Sequence, residues 1–580
     1  MTGSTATTFG CGPVGRAAAA GVAGPAGEAG AWPLIVGAAA VAAGFVSGVG
    51  AGVGAGAVWA RDALAAIART PTASVKMTRF VQFRMMAPFV PMLYCRASPR
   101  RPQAQDLTLL RLHIHLIAIG GTGMAPLAGL LQAEGHVVSG SDAALYPPMS
   151  TLLERIGIRP QVGYDPAHLE PRPDLVVVGN AVRRDNPEAV AAERLGLARL
   201  SMPEALARFF LADRRPLVVA GTHGKTTTST LAAFVLADCG RDPSYLVGGL
   251  PMDLPESFHR GSGDRFVVEG DEYNAAYFDR GAKFLHYRPQ GLILTSVEYD
   301  HADLYPSPEA LREAYARLID LVPESGFLVA CGDHADVRAL AGGARCPVIF
   351  YGLARDNEVR FARRPWSDPR GTHFTIDDPE AGPVEAMLGV WGEHNAENAL
   401  AVWAAARRDG LAPGEIAGAF ARFRGVRRRQ EWVGEVRGIA VVDDFAHHPT
   451  AVGRTLESLR VRFPGRRIVA CFEPRSLTAG RAFFLDGYRA AFRAADRVLF
   501  APTFHRDRLL AEERLDFERL AEELTDAGTP ASAEPDLETL LMRATETAMP
   551  GDVLVAMSSG SFGGLPRRLL AALGDGAPAS

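Results

Sequence analysis

Short apolar runs alternate with longer amphipathic stretches along most of the chain. The apolar runs include residues 216–220, 266–268 and 439–442, which are rich in valine. Runs of this length and composition predict strands that are buried on both faces of a sheet, and the stretches between them predict helices. Because strands and helices follow one another in β-α-β-α order, the pattern predicts parallel sheets covered by helices, which is an α/β fold.

A glycine-rich turn separates the strand at 216–220 from an amphipathic helix expected at 229–238. The turn has the sequence G-T-H-G-K-T-T over residues 221–227. In such a turn the backbone N–H groups and the helix N-terminus face an anion, Lys225 reaches the outer phosphates of a nucleotide, and Thr226 can bind Mg²⁺. The two glycines lie closer together than in the usual motif, so we interpret the turn as a variant P-loop.

A second glycine-rich turn opens the first β-α-β unit of the chain. A strand at 112–119 runs into the turn at 120–124, a helix follows to residue 134, and a second strand at 136–140 ends in Ser141-Asp142. Glycines at the first turn and an acid after the second strand form an arrangement that binds nucleotide diphosphates. We therefore predict a nucleotide diphosphate site in this unit.

Acidic side chains follow two strands close to the predicted P-loop. The strand at 266–268 leads into E-G-D-E at 269–272, and the strand at 291–297 leads into E-Y-D-H-A-D at 298–303. The carboxyl ends of parallel strands meet at one edge of a sheet, and a P-loop lies at that same edge. Carboxylates beside the phosphates of a nucleotide are suited to hold Mg²⁺. These residues therefore predict a magnesium site.

Polar motifs also follow the strands of a further α/β sheet near the C-terminus. The strands are expected at 439–442, 468–472, 498–500 and 553–557. The motifs that follow three of them are D-D-F-A-H-H-P at 443–449, E-P-R-S at 473–476 and S-S-G-S-F-G-G at 558–564.

Length and composition limit the class of protein. A chain of 580 residues is long enough for three or more domains. A net charge of −4 argues against a general nucleic-acid binder. The six cysteines are scattered without a C-x-x-C pair, which indicates neither a disulfide framework nor a zinc site. We expect the catalytic domains to lie in a reducing compartment, the cytoplasm.

Residues 1–105 differ in composition from the rest of the chain and form an expected low-complexity, apolar extension. Residues 29–60 carry no charged side chain and are numerous enough to span a bilayer. The basic residues that follow would leave the downstream domains in the cytoplasm if this segment were a membrane anchor. A disordered extension, or a translation start placed too far upstream, is the favoured interpretation. Membrane association is expected only if the segment is real and inserted.

The motifs together resemble the Mur ligases of bacterial cell-wall synthesis, and the resemblance covers residues 111–575. The matching blocks all occur in the order of the family. They are G-T-H-G-K-T-T at 221–227, E-x-D-E at 269–272, D-H-x-D at 300–303, G-x-H-N-x-x-N at 392–398, R-R at 428–429 and D-D-F-A-H-H-P at 443–449.

This resemblance implies an α/β protein of three domains. They are a Rossmann-like UDP-binding domain at 108–212, a central P-loop ATPase-like domain at 213–425 and a C-terminal Rossmann-like domain at 426–575. The family's chemistry implies that ATP phosphorylates the carboxylate of UDP-N-acetylmuramate. An amine then attacks the acyl phosphate and phosphate leaves. The implied cofactors are ATP and Mg²⁺, and no nucleic-acid partner is expected.

The resemblance also implies roles for individual residues. The implied catalytic residues are Lys225, Glu269, His301, Arg429, Asp444 and His447, and the metal ligands are Thr226, Glu269 and His301. The implied ATP-binding residues are Gly221, Thr222, His223, Gly224, Lys225, Thr226, Thr227, His394, Asn395, Asn398, Arg428 and Asp443. The implied UDP-sugar residues are Gly120, Gly121, Thr122, Gly123, Met124, Ser141 and Asp142. Arg475 and Ser476 are implied to face the incoming peptide.

Three blocks resemble the branch of the family that ligates the murein tripeptide L-alanyl-γ-D-glutamyl-meso-diaminopimelate. They are Y-P-P-M-S-T-L-L-E at 146–154, K-F-L-H-Y at 283–287 and F-E-P-R-S at 472–476. The alternative is the L-alanine-adding branch of de novo synthesis. A non-catalytic nucleotide-binding protein is a further alternative, which the complete phosphoryl-transfer set argues against. The oligomeric state, the range of peptide acceptors and the role of Lys283 stay open.

Some positions depart from the family's pattern. Ala125-Pro126 stand where relatives continue with glycines, although a proline fits the first turn of a helix. Ser296 stands where relatives often have asparagine, which puts one polar contact near the metal in question. No lysine follows His301, so the carbamoylated lysine of several relatives is absent from this chain.

Overall fold

Three α/β sheets follow one another along residues 111–575, the part of the chain that the computed structural model describes. The extension at 1–105, with its apolar segment at 29–60, lies outside the described residues. Among the described helices, none combines the length and apolar character needed to cross a membrane. The three-domain α/β fold predicted from the sequence is confirmed.

The first domain is built on five parallel strands in the order β3-β2-β1-β4-β5. Its strands are β1 (His113–Ile117), β2 (Val137–Asp142), β3 (Gln161–Val162), β4 (Leu175–Val178) and β5 (Ala198–Ser201). Its helices are α1 (Met124–Ala133), α2 (Met149–Arg155), α3 (Pro187–Arg194) and α4 (Met202–Leu206). Pro126 lies in the first turn of α1, so the departure from glycine at this point is compatible with the predicted helix.

The second domain contains a ten-stranded sheet in the order β17-β16-β15-β14-β13-β12-β6-β9-β7-β8, with β10 and β11 paired separately. Its strands are β6 (Arg215–Ala220), β7 (Ser244–Leu246), β8 (Phe258–His259), β9 (Arg265–Gly270), β10 (Asn274–Ala276), β11 (Asp279–Ala282), β12 (Gly291–Leu294), β13 (Phe327–Cys331), β14 (Val348–Gly352), β15 (Val359–Asp368), β16 (Gly371–Asp378) and β17 (Gly382–Leu388). Its helices are α5 (Lys225–Asp238), α6 (Pro308–Asp320), α7 (Ala335–Ala341), α8 (Glu393–Arg408) and α9 (Pro413–Arg422).

The third domain has six strands in the order β18-β19-β23-β20-β21-β22. They are β18 (Glu431–Val436), β19 (Ile439–Asp444), β20 (Ile468–Phe472), β21 (Arg497–Phe500), β22 (Ala531–Ala533) and β23 (Val553–Met557). The helices are α10 (Pro449–Arg462), α11 (Leu485–Phe492), α12 (Phe517–Asp526), α13 (Leu537–Thr547) and α14 (Leu565–Asp575).

The expectation of parallel sheets throughout was wrong at the sheet edges. Strands β15, β16 and β17 pair antiparallel, as do β7 with β8 and β18 with β19. Only two residues connect β15 to β16. A connection this short cannot contain a crossover helix, so the chain must reverse direction. The helix after the P-loop also begins at Lys225, four residues before the expected start at 229.

The first two domains share a hydrophobic core, and the third domain has cores of its own. One continuous core joins one face of the first sheet to the second sheet, a separate core lies on the other face of the first sheet, and the third sheet has separate cores on its two faces. Close packing also joins the first two domains, because a Cβ added at Gly129 of α1 would lie 2.1 Å from the ring of Phe258 in β8. The first two domains are therefore held together by apolar packing, and the third domain is a separate body.

Candidate active site

The P-loop is fixed by the strand beside it. The backbone N–H of Thr222 donates to the Ser296 carbonyl at 2.9 Å, and that of His223 donates to the Ser296 hydroxyl at 3.0 Å. Ser296, which departs from the family's asparagine, thus supplies both contacts. Gly221 has φ +132°, and a Cβ there would lie 2.2 Å from the Thr295 hydroxyl. Glycine is required at this turn for conformation and for space.

Lys225 lies over the loop that precedes it. Its Nζ donates to the carbonyls of Gly221 at 2.7 Å and Thr222 at 3.3 Å, and it pairs with Glu272 Oε1 at 3.0 Å. Burial alone would lower the pKa of Lys225, but the surrounding carboxylates raise it above its ordinary value. The lysine is therefore a fixed positive charge beside the glycine-rich turn.

The acids at the ends of β9 and β12 gather next to this lysine, as the sequence predicted. Glu269 accepts hydrogen bonds from the Thr226 hydroxyl at 2.9 Å and from the Gly248 N–H at 2.8 Å. Glu272 Oε1 lies 2.9 Å from Nε2 of His301, while its Oε2 is buried with no hydrogen-bond partner among the described residues. An unpaired buried carboxylate oxygen is costly without a cation. This donor set fits a divalent metal ion.

His301 is held in an unusual backbone conformation at this edge. Its φ is +55°, and its N–H donates to Asp300 Oδ1 at 2.6 Å. Burial alone would lower its pKa, but the hydrogen bond to Glu272 and the charges of Glu272 and Asp300 raise the pKa of His301 to about 9. The second lysine of this region, Lys283, pairs with Asp271 at 2.7 Å. Lys283 thereby contributes to the charge balance of the acidic edge.

A cleft opens between the P-loop and the third domain. The predicted residues that line it are His223, Gly224, Thr227, His394, Asn395, Asn398, Arg429 and Asp444. Asn398 packs on the loop, since a Cβ at Gly224 would lie 2.6 Å from its Oδ1. Burial, with help from Arg454 and Arg429, lowers the pKa of His394 to about 3. The imidazole of His394 is therefore neutral and offers a flat ring to the cleft.

Several lining residues were missed by the sequence analysis. They are Cys331, His334, Tyr351, Gln430 and Arg454, with others on the same elements, whereas Glu298 belongs to the acidic motif predicted after β12. Cys331 and Tyr351 lie at or near the carboxyl ends of β13 and β14, and His334 follows β13. The rule that located the acids after β9 and β12 applies equally to these strands. Arg454 on α10 had no such signal, because only the docking of the third domain brings it to the cleft.

Polar contacts join the third domain to the second across this cleft. The Thr450 hydroxyl donates to Glu298 Oε2 at 2.7 Å, and Arg454 pairs with Glu397 at 3.1 Å. Glu298 also pairs with His223 of the P-loop at 3.1 Å. Burial would raise the pKa of Glu298, but its hydrogen bonds and the nearby histidines lower it to about 2. Glu298 is therefore an ionised anchor shared by both domains.

The two arginines predicted at the domain junction differ in position. Arg429 lines the cleft, and its Nη2 lies 3.4 Å from the Thr226 hydroxyl. Arg428 turns away into the third domain, where it pairs with Asp443 at 3.5 Å and binds backbone carbonyls after β23. Asp444 lines the cleft, but its oxygens accept hydrogen bonds from the N–H groups of Gln430 and Ala446 at 2.8 and 2.7 Å.

The remaining predicted residues do not line this cleft. Asp142 accepts a hydrogen bond from the Gly120 N–H at 2.8 Å, so it fixes the first glycine-rich turn. Ser141 is buried, and its hydroxyl donates to Glu188 at 2.5 Å inside the first domain. His447 is half-buried near Asp300 of the acidic edge, and the loss of solvent around it lowers its pKa. Arg475 and Ser476 follow β20 in the third domain. Gly121, Thr122, Gly123 and Met124 form the rest of the turn into α1.

Family models match three consecutive parts of the chain. They describe the Mur ligase family catalytic domain at residues 113–214, the Mur ligase middle domain at 219–406 and the Mur ligase glutamate ligase domain at 428–560. These three matches follow the order of the three sheets.

Individual relatives agree with the family models. The chain is 40% identical over 476 residues to UDP-N-acetylmuramate–L-alanyl-γ-D-glutamyl-meso-2,6-diaminoheptandioate ligase of Escherichia coli K12, a match that covers 81% of this chain and 100% of that one. It is 38% identical over 456 residues to UDP-N-acetylmuramate–L-alanine ligase of Kineococcus radiotolerans, covering 77% and 93%. A crystal structure of a murein peptide ligase from Psychrobacter arcticus aligns with a TM-score of 0.62 at 32% identity, covering 80% of this chain and 100% of that chain.

Proposed function

Because the chain belongs to the Mur ligase family, we propose that it joins UDP-N-acetylmuramate to L-alanyl-γ-D-glutamyl-meso-diaminopimelate in an ATP-dependent reaction of murein recycling. One observation carries this assignment. The match to the Escherichia coli ligase named for that reaction spans the whole of that enzyme at 40% identity. The match to the L-alanine ligase of Kineococcus radiotolerans covers 93% of that enzyme, at 38% identity. L-Alanine is therefore the comparison acceptor for any test.

The reaction begins with the approach of two anions. The carboxylate oxygen of the muramate attacks the γ-phosphorus of ATP, the bond to the β-phosphate oxygen breaks, and ADP leaves. Catalysis of such a transfer depends on positioning and on compensating the charge that develops on the phosphoryl oxygens. We assign this role to the fixed charge of Lys225 and to Arg429, which approaches the P-loop hydroxyl of Thr226 from the third domain.

We assign a Mg²⁺ site to Thr226, Glu269 and His301, with Glu272 beside them. The buried oxygen of Glu272 without a hydrogen-bond partner supports this assignment. A magnesium ion held there would neutralise charge on the phosphates of the nucleotide. Thr226 and Glu269 supply oxygen donors, which Mg²⁺ prefers, and His301 would have to lose its proton to bind the metal.

The second step joins the peptide to the acyl phosphate. The amine of the tripeptide attacks the acyl carbon, the bond to phosphate oxygen breaks, and the amine loses a proton. We assign His447 to the peptide side of this step, because its lowered pKa leaves a neutral imidazole that can accept a proton. Arg475 and Ser476 are assigned to the peptide. The first glycine-rich turn, from Gly120 to Met124 with Asp142, is assigned to the uridine diphosphate.

ADP release tests the function directly. We expect release to require both UDP-N-acetylmuramate and the tripeptide, with a product mass equal to the sum of the two minus water. UDP-N-acetylglucosamine is the matched control donor, because it lacks the lactyl carboxylate that must be phosphorylated. Equal or faster turnover with L-alanine would overturn the assignment in favour of the L-alanine-adding reaction.

A further inference from the structure

The loop that follows β23, at residues 558–561, lies between Arg428 and Arg475. Nη2 of Arg428 donates to the Ser558 carbonyl at 2.7 Å and also to the Gly560 carbonyl. On the other side of the same loop, a Cβ added at Gly560 would lie 1.9 Å from Cδ and 2.0 Å from Nε of Arg475. The loop is thus anchored by Arg428 on one side and packs against the Arg475 side chain on the other.

Arg475 is held on two further sides. Its guanidinium carbon lies 3.9 Å from the centre of the Phe504 ring, which is a close stacking contact. Its Nη1 lies 3.5 Å from Glu473 Oε1, and the other oxygen of Glu473 accepts a hydrogen bond from the Ser558 hydroxyl at 2.5 Å. The ring, the carboxylate and Gly560 therefore fix the direction of the guanidinium.

This arginine keeps hydrogen-bonding capacity for a ligand. Within the described part of the chain its carboxylate partner is Glu473, and the 3.5 Å separation is long for a charge-assisted hydrogen bond. Its side chain is 30% exposed, so its fork can be reached from solvent. A planar fork of N–H donors matches a carboxylate, which can accept two parallel hydrogen bonds.

The acceptor chemistry matches such a group. In L-alanyl-γ-D-glutamyl-meso-diaminopimelate the γ-linkage leaves the α-carboxylate of the glutamate free, and the diaminopimelate carries two more carboxylates. L-Alanine carries a single carboxylate, next to the amine that reacts. A cation aimed at a carboxylate far from the reacting amine can therefore bind the tripeptide. L-Alanine has no carboxylate at such a distance from its amine.

We propose that Gly560 and Phe504 are positioning residues that aim the Arg475 guanidinium at a carboxylate of the acidic peptide, and that this arrangement sets the preference for the tripeptide. The inference rests on the proposed function, because it takes the tripeptide as the acceptor. Gly560 leaves space for the arginine, and Phe504 supplies the flat surface on which the guanidinium lies. Neither residue needs to touch the substrate.

The decisive variant is Gly560→Ala. The added methyl group overlaps the Arg475 side chain, which is flexible and can swing away without moving the backbone. We expect the KM for the tripeptide to rise about tenfold or more, the size of a lost charge-assisted hydrogen bond. The KM values for ATP and for UDP-N-acetylmuramate should stay within about twofold of wild type, because the change is local. Gly414→Ala is the matched control, since an added Cβ there meets nothing within 4 Å.

A double-mutant cycle separates positioning from a merely structural role. If Gly560 acts through Arg475, then Gly560→Ala adds no further rise in tripeptide KM in an Arg475→Ala background. Phe504→Leu keeps an apolar side chain but removes the ring face, and Phe504 is half exposed, so this variant should fold even if Gly560→Ala does not. It should raise the same KM.

The outcomes distinguish a failure of the proposed function from a failure of the positioning role of Gly560 and Phe504. Failure of the wild-type enzyme to use the tripeptide would overturn the proposed function. Normal tripeptide use by the wild type, with an unchanged tripeptide KM in both variants, would overturn the positioning role alone. Additive effects of Gly560→Ala and Arg475→Ala would also overturn it, as would equal rises in the KM of all three substrates.

Discussion

Removal of Lys225 should affect stability and catalysis separately, because the lysine has two kinds of neighbours. It pairs with the buried Glu272 at 3.0 Å, and it donates to the P-loop carbonyls of Gly221 and Thr222. Lys225→Ala removes the counter-charge from an acidic edge that also contains Glu269. Lys225→Arg keeps the charge but replaces a compact ammonium with a planar fork that does not fit the turn.

The pair distance gives the expected size of the stability effect. Two unit charges 3.0 Å apart interact with roughly 5 kcal/mol at an effective dielectric constant of about 20. Breaking a buried ion pair by removing one partner costs about 3–5 kcal/mol, since the remaining charge stays buried. The Lys225 side chain is 14% exposed and that of Glu272 is 2% exposed, so screening by solvent reduces this value little.

Thermal unfolding and ADP release measure the two effects independently. We expect Lys225→Ala to lower the unfolding midpoint by several degrees and turnover by about a hundredfold or more, as for the loss of a preorganised charge. Lys225→Arg should retain most of the stability and lose turnover. Lys283→Ala is the matched control, because it removes a comparable ion pair, to Asp271, and should lose stability with a smaller loss of turnover.

Two results would contradict this prediction, one for each variant of Lys225. Near-normal turnover in Lys225→Arg would show that the turn does not require a compact cation. An unchanged midpoint in Lys225→Ala would show that the acidic edge does not depend on the lysine for charge balance. The first outcome would count against the P-loop assignment, and the second would count against the role of Lys225 in the acidic edge.

Three further predictions concern other parts of the molecule. Burial, with Glu431 and Asp444, raises the pKa of Asp443 from 3.8 to about 6, so the contribution of Asp443 to stability should fall as pH rises from about 4 to about 6; the difference in unfolding midpoint between wild type and Asp443→Asn should change over this pH range. Glu298→Gln should weaken the hold on Thr450, and solution scattering should then show less compaction by ATP plus UDP-N-acetylmuramate. Gly129→Ala should lower the unfolding midpoint by overpacking against Phe258, and Phe258→Leu should restore it.

The sequence predicted the elements whose signal is local. Apolar runs placed most of the main strands to within a few residues, and residue types after β6, β9 and β12 located the P-loop and the acids. Ser141 and Asp142 show a limit of prediction from the local sequence. Neighbouring residues on a strand point to opposite faces, and the register of the sheet decides which face carries the turn. Asp142 reaches Gly120, whereas Ser141 points into the domain toward Glu188.

Arg454 and Thr450 illustrate a second limit. Both lie on helix α10, whose sequence pattern predicts packing onto its own sheet and says nothing about the neighbouring domain. They contact the second domain because the third domain docks on it, with Arg454 on Glu397 and Thr450 on Glu298. Cross-domain geometry of this kind depends on the path of the connecting segment. Antiparallel pairing of β15 with β16 was missed for a related reason, since the length of the connection, and not the strand pattern, determines direction.

We expect the segment that connects the second and third domains to link domain closure to catalysis. The shared core fixes the first two domains together, whereas the contacts described across the cleft to the third domain are polar and can exchange with solvent or substrate. Between the domains, Arg428 and Gln430 have φ values of +60° and +52°, which are strained for residues with side chains. Asp444 holds the Gln430 N–H at 2.8 Å. The same short segment connects the third domain to the second and carries Arg429 to the P-loop, so a change in domain angle would move the Arg429 charge relative to the P-loop.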